Sequence, residues 1–137
     1  MMYSGDNRGK IQFRERARQI NDFSGLRYGN ITPTDIDGVI EYRDMALIFF
    51  EVKHRDKEMP YGQKLALERL ADNNQRAGKP STVLVCRHKN DDPGEDVNVA
   101  NTIVSDFYYS GIWYKGGGRT AKEVTDSFLR FVGKNPF

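Results

Sequence analysis

The sequence is poor in the residues that build disulfides and zinc sites. It has one cysteine, Cys86, and two histidines among 137 residues. A single cysteine excludes an internal disulfide, and so few histidines leave no usual ligand set for zinc. Cys86 lies within STVLVCRH, a run typical of a β-strand, which predicts a buried and unreactive thiol.

Long apolar runs are also missing. No run approaches the roughly 20 apolar residues that cross a bilayer, and the first ten residues, MMYSGDNRGK, lack the apolar stretch of a secretory signal. We therefore expect no membrane partner and a cytoplasmic location. The net charge of +2 permits nucleic-acid binding without requiring it.

Apolar periodicity predicts three helices. They are expected over residues 9–22, 63–78 and 120–132, and the last begins with Thr120 and Glu123 at the spacing of a capping box. Residues 1–8 are polar, and we expect them to be flexible.

Period-two and β-branched patterns predict four or five strands. The expected strand regions are TPTDIDGVIEY, LIFFEVKH, STVLVCRH and one or two more within VNVANTIVSDFYYSGIWYK. The segment RDMA is a plausible hairpin turn, so the first two strands should be antiparallel neighbours, and STVLVCRH should be central. We predict an α/β fold in which residues 1–137 form one domain, with a single mixed β-sheet flanked by helices.

Two charged side chains interrupt the apolar strand LIFFEVKH. Glu51 and Lys53 share one face of it, because side chains alternate along a strand. On the preceding strand, Asp35 and Asp37 share a face and alternate with Ile36. If the strands pair in register, Asp37 lies near Glu51.

Neighbouring carboxylates repel each other, and a bound cation removes that repulsion. Oxygen ligands of this kind suit Mg²⁺ or Mn²⁺. The peptide carbonyl of Val52 is a natural further ligand, since Val52 stands between Glu51 and Lys53. Lys53 would then lie beside a metal-bound water and beside the phosphate that this water attacks.

These residues resemble the PD-(D/E)XK nuclease superfamily. Asp37 is followed, after a hairpin, by Glu51-Val52-Lys53, and Gln63 lies near the start of the next helix. The resemblance covers about residues 9–90. One departure is that Pro33 does not directly precede Asp37, so the literal PD pair is absent.

The resemblance implies a restriction-endonuclease-like αβββαβ core and metal-dependent hydrolysis of DNA in a bacterial or phage-infected cell. Asp37 and Glu51 would hold the metal, with Val52 supplying its carbonyl, and Glu15 would be an extra ligand. Lys53 would be the catalytic lysine and Gln63 would support the site. Asp35 is the alternative to Asp37.

The resemblance also implies DNA as the partner. The small size, with no visible extra recognition domain, suggests recognition of DNA structure, so a branched-DNA resolvase acting as a homodimer is a natural candidate, and a restriction-type endonuclease is the sister possibility. Arg14 and Arg18 lie in a basic segment, and Lys115 and Arg119 flank the GGG run, so these four residues are candidates for DNA-backbone contacts. The segment YKGGGRT lacks the spacing of a phosphate-binding loop, so no nucleotide cofactor is expected. Two alternatives are a nuclease-fold DNA-binding or assembly subunit that does not cut, and an ion-paired α/β domain with an unrelated role.

Overall fold

A computed structural model describes residues 9–134 of the chain. The predicted flexible segment, residues 1–8, lies outside this range. The described chain falls into two compact units, and the boundary in the sequence lies between Pro33 and Thr34. Each unit is described by itself. The expectation of a single domain over residues 1–137 stays a prediction.

The N-terminal unit has far less helix than its sequence pattern predicts. Helix α1 covers only Arg14–Ala17, so the predicted helix over residues 9–22 is wrong in extent. Ile11, Phe13 and Ile20, whose spacing would place them on one side of that helix, are 76%, 64% and 75% exposed. An isolated helix over residues 9–22 would be marginal in water unless its apolar side chains were buried. These side chains instead remain largely exposed.

The second unit is built on a single mixed sheet of five strands. Its strands are β1 (Gly38–Tyr42), β2 (Ala46–His54), β3 (Ser81–His88), β4 (Ile103–Tyr109) and β5 (Ile112–Lys115). They lie side by side in chain order. The β2–β3 pair is parallel and the other pairs are antiparallel. The α/β class, the mixed sheet and the central position of β3 are therefore confirmed.

Two longer helices accompany the sheet. Helix α2 (Tyr61–Arg76) connects β2 to β3, and helix α3 (Ala121–Lys134) follows β5. The predicted capping box is present at α3, where Thr120 and Glu123 exchange side-chain to backbone hydrogen bonds of 3.0 and 3.2 Å. Within residues 9–134, no helix has the length and apolar character needed to cross a membrane.

The finer αβββαβ order is not confirmed. Between α1 and α2, where every residue is described, the structure has two strands and not three. The predicted hairpin turn between them is present. Arg43 and Asp44 have positive φ angles of 52° and 59°, and the Met45 amide donates to the Tyr42 carbonyl at 2.8 Å. Two successive positive φ angles match the twist of an antiparallel pair.

Apolar side chains cover both faces of the sheet. One layer contains Ile48 together with Val124 of α3, and Phe50 and Val52 pack against it. The other layer contains Phe49 and side chains of α2. Such two-sided burial is typical of a parallel strand pair, and it places the face that carries Glu51 under α2.

Cys86 is buried in the layer on the α3 side, as its sequence context predicts. Burial raises the pKa of its thiol to about 11. The side chain is therefore protonated at neutral pH and unreactive.

Gly116 allows the close approach of two backbones between β5 and α3. A Cβ atom at this position would lie 1.8 Å from the Val104 carbonyl oxygen. The Gly116 amide donates to the Ser105 carbonyl at 3.0 Å, and the Val104 amide donates to the Arg119 carbonyl at 2.9 Å. The GGG run is thus tied to β4 at its first glycine.

Candidate active site

The EVK segment lies near the end of β2, the second of the five strands. Glu51 is 2% exposed, and the side chain of Lys53 is 13% exposed. Both are on the face covered by α2, because they alternate with Val52, which packs toward α3. The sequence pattern correctly placed the two charges together.

Glu51, Lys53 and Gln63 form one hydrogen-bonded cluster. Lys53 Nζ lies 3.3 Å from Glu51 Oε1 and donates to Gln63 Oε1 at 3.2 Å. Gln63 Nε2 donates to Glu51 Oε1 at 2.9 Å and to the Asp35 carbonyl at 3.0 Å. The amide of Gln63 therefore fixes the orientation of both charged groups.

Asp37 lies directly beside this cluster. Its Oδ2 accepts a 2.7 Å hydrogen bond from the Val52 amide. The pKa of Glu51 rises to about 7, mainly because the carboxyl is buried and secondly because Asp37 is a nearby carboxylate, while Lys53 opposes the shift. The structure thus brings the carboxylate of Asp37 to Glu51, whereas Asp35 contributes its peptide carbonyl.

Sequence alternation did not extend to the start of β1. Ile36 packs against the layer formed by Phe49 and α2, on the same side as Glu51, and not on the opposite side. The regular strand begins only at Gly38, so the period of two does not apply to Asp35 and Ile36. The expected opposition of Ile36 to the aspartates is therefore wrong.

One oxygen of the cluster lacks a partner. Glu51 Oε2 is buried and accepts no hydrogen bond from residues 9–134. Leaving a buried polar atom unsatisfied costs roughly 1–3 kcal/mol, more when it is charged. A proton or a cation at this oxygen would remove that cost.

The donor set at this position fits Mg²⁺ or Mn²⁺. Asp37 and Glu51 supply carboxylate oxygens, and the Val52 carbonyl points to the same strand edge as its amide, which faces Asp37. Within the part of the chain that the structure describes, no three His, Cys, Asp or Glu side chains are placed to hold a metal. Mg²⁺ retains several waters and needs only one or two carboxylates, so two carboxylates and a carbonyl are compatible with it.

Three of the other predicted site residues lie in the N-terminal unit. Glu15 is exposed in α1, and Arg18 is exposed just after it, both in the N-terminal unit. Arg14 is the first residue of that helix. The roles assigned to all three stay predictions.

Lys115 and Arg119 lie on opposite faces of the sheet. Lys115 Nζ donates to Asp106 at 3.0 Å, and that carboxylate is on the α2 side but two strands away from β2. Arg119 stacks over the ring of Phe107 on the α3 side. Their proposed contacts with DNA stay predictions, and the structure brings neither residue to the EVK cluster.

The basic end of β3 was not predicted from the sequence. In the parallel register, Lys53 pairs with Arg87 and His54 pairs with His88. The sequence signal was available, since the segments EVKH and VCRH both end in a basic residue followed by histidine. What the sequence did not provide was the register that aligns the two ends.

Comparisons with models of protein families, with curated protein sequences and with solved structures find no match. The fold and the site define a mixed α/β domain with a buried glutamate, lysine and glutamine cluster beside an aspartate. The function of that cluster is inferred from its geometry and chemistry.

Proposed function

We propose that this chain is a Mg²⁺- or Mn²⁺-dependent endonuclease that hydrolyses phosphodiester bonds of DNA. The observation that carries the proposal is the Oε2 of buried Glu51, which has no partner among residues 9–134 and lies next to the Asp37 carboxylate and Lys53. A structural ion pair would satisfy its buried oxygens. A cation-binding carboxylate, in contrast, keeps an oxygen available for its ligand.

In this proposal, Asp37, Glu51 and the Val52 carbonyl hold the metal, with Glu15 as an extra ligand implied by the family resemblance. The bound metal would supply an activated water and neutralise charge on the phosphate. The Asp37 carboxylate is already positioned by the Val52 amide, and Gln63 positions Glu51. Little rearrangement of these side chains is therefore required.

Lys53 would provide a fixed positive charge beside the reacting phosphate. Its ammonium is held between Glu51 and Gln63, at 3.3 and 3.2 Å. Oriented charges of this kind stabilise a transition state more than the ground state, because they need no reorganisation during the reaction. Gln63 is then a positioning residue for both Lys53 and Glu51.

The proposed substrate is branched DNA, cut by a homodimer with a restriction-endonuclease-like core. Basic charge in the N-terminal unit supports a nucleic-acid partner. Residues 9–33 contain five Lys or Arg residues and two acidic residues. Such a segment gains affinity from the counterions that it releases from phosphates.

The test is cleavage of supercoiled plasmid and of a four-way DNA junction, with Mg²⁺ or with EDTA. We expect Mg²⁺-dependent cleavage by the wild type and a loss of about 10²–10³-fold in Lys53→Met. Lys122→Met, at an exposed α3 lysine that pairs with Asp126, is the matched control and should cleave normally.

Cleavage that persists in EDTA, or that is unchanged in Lys53→Met, would contradict the proposal. DNA binding by the wild type without cleavage under either metal would favour the non-cleaving subunit instead.

A further inference from the structure

A large cleft, lined by several charged and polar residues, lies at the carboxyl ends of the parallel strands β2 and β3. Its volume is about 900 Å³, and this edge of an α/β sheet is where ligands commonly bind. Arg55, Arg87 and Lys89 line it, together with the carboxylates of Asp56 and Asp96. Because Arg55 is already paired with Asp91, the cations left in the lining, Arg87 and Lys89, are matched by the two carboxylates. An anionic ligand would therefore be bound through the hydrogen-bond donors of Arg87.

Arg87 is rigidly held in this cleft. Its Nε donates to Ser105 Oγ at 3.0 Å, and its Nη1 donates to the carbonyls of Arg55 and Lys57 at 2.8 and 2.7 Å. These bonds use three of the five N–H donors of a guanidinium. Its position is therefore fixed by the neighbouring backbone.

The remaining donors of Arg87 are available to a ligand. The two N–H groups on Nη2 have no acceptor among residues 9–134. Glu51 Oε2 is the one buried side-chain N or O atom without a partner in that range, so Nη2 reaches solvent. Arg87 is one of the residues that line the cleft, and we infer that Nη2 faces it.

His88 offers a second donor to the same cleft. Its Nδ1 accepts a hydrogen bond from the Asn90 amide at 3.1 Å, so in the neutral ring the proton is on Nε2. The basic residues after the EVK segment are instead paired with a carboxylate, because Asp91 contacts both His54 and Arg55. Free donors are thus concentrated at the end of β3.

The cleft begins one strand away from the proposed catalytic lysine. Arg87 is the register partner of Lys53 on the adjacent strand and lies on the same face, and neighbouring strands are about 4.8 Å apart. We propose that the cleft binds the backbone phosphate of a DNA strand next to the one that is cut. Arg87 Nη2 is the main contact and His88 Nε2–H is the second. This inference rests on the proposed endonuclease function.

The experiment measures DNA binding in EDTA, where the proposed reaction cannot proceed. Fluorescence anisotropy of a labelled oligonucleotide is followed as a function of salt for the wild type, Arg87→Gln and His88→Phe. Arg87→Gln should bind about tenfold more weakly, and the slope of log K against log salt should fall in magnitude by about 0.7–0.9. Arg130→Gln, at an exposed α3 arginine, is the matched control and should retain wild-type affinity.

Arg87→Gln also loses the hydrogen bonds from Arg87 to Ser105, Arg55 and Lys57, so the variant could bind weakly because it folds poorly. His88→Phe tests the same cleft without removing those bonds. Phenylalanine keeps a ring that can pack against His54, 5.2 Å away, and removes the donor. We expect binding to weaken about threefold or more, with unchanged thermal unfolding by circular dichroism. Wild-type affinity in both cleft variants would overturn the inference.

Side-chain NMR distinguishes the source of the phosphate. The Nε–H signal of Arg87 should shift with a short oligonucleotide at concentrations where inorganic phosphate has no effect. An equal response to inorganic phosphate would overturn the assignment to a DNA strand. If the oligonucleotide shifts the Arg87 Nε–H signal of the wild type but the wild type never cleaves DNA, the endonuclease function is refuted and DNA binding in the cleft is retained. If Arg87→Gln changes neither cleavage nor binding, DNA binding in the cleft is refuted and the endonuclease function is retained.

Discussion

Replacing Glu51 with glutamine should stabilise the metal-free protein, and the gain should grow as the pH rises. The carboxyl of Glu51 is buried beside Asp37, and its pKa rises from the usual 4.5 to about 7. The folded state therefore binds this proton more tightly than the unfolded state does. The stability that neutral Glu51 provides is complete below pH 4.5 and is lost as the pH rises through 7.

The magnitude follows from the same pKa. One pKa step corresponds to about 1.4 kcal/mol, so ionised Glu51 costs about 3 kcal/mol relative to its charge in the unfolded chain. Glutamine keeps the shape and the acceptor for Gln63 but does not titrate. The difference in unfolding free energy between Glu51→Gln and the wild type should therefore increase by about 3 kcal/mol between pH 4.5 and pH 8.

Urea unfolding at a series of pH values, in EDTA, measures this difference. The single tryptophan, Trp113, lies on β5 and packs against Tyr108 of the same unit, so its fluorescence follows the unfolding of the sheet. Glu58→Gln, at an exposed glutamate before α2, is the matched control. Parallel pH profiles for Glu51→Gln and the wild type would refute the reasoning.

Two further substitutions test the charge of the site and the packing of the fold. Asp37→Asn removes the carboxylate that raises the pKa of Glu51, so the pH dependence of wild-type stability should shrink. Urea unfolding across pH 4.5 to 8 checks this, and an undiminished dependence would contradict it. Gly116→Ala should destabilise by about 3 kcal/mol or more, since its Cβ would lie 1.8 Å from the Val104 carbonyl oxygen. Gly62→Ala, in the first turn of α2 with no atom within 4 Å of its Cβ, should be neutral or stabilising by up to about 1 kcal/mol in thermal unfolding.

The parts of the structure that follow from local sequence were predictable. Alternation along β2 placed Glu51 and Lys53 on one face, and the capping-box spacing identified the start of α3. The short connection RDMA required an antiparallel pair. Each of these depends on residues that are close in the sequence, so the pattern alone carries the information.

The parts that depend on distant residues were not predictable in the same way. Helical periodicity over residues 9–22 did not produce a long helix, because Ile11, Phe13 and Ile20 stay exposed and add no burial that would stabilise one. The register between β2 and β3 aligns Lys53 with Arg87, and no local pattern encodes it. Nor did the sequence reveal that Glu51 Oε2 has no partner within the described part of the chain, since this depends on where Gln63 and Lys53 come to lie.

The central claim is that Asp37 and Glu51 share one divalent cation. The most direct measurement is the anomalous diffraction of a crystal soaked in Mn²⁺. We expect one peak within about 2.0–2.3 Å of a carboxylate oxygen of each residue, and its loss in crystals of Glu51→Gln. A fully occupied Mn²⁺ elsewhere on the protein, with no density between these two carboxylates, would contradict the account.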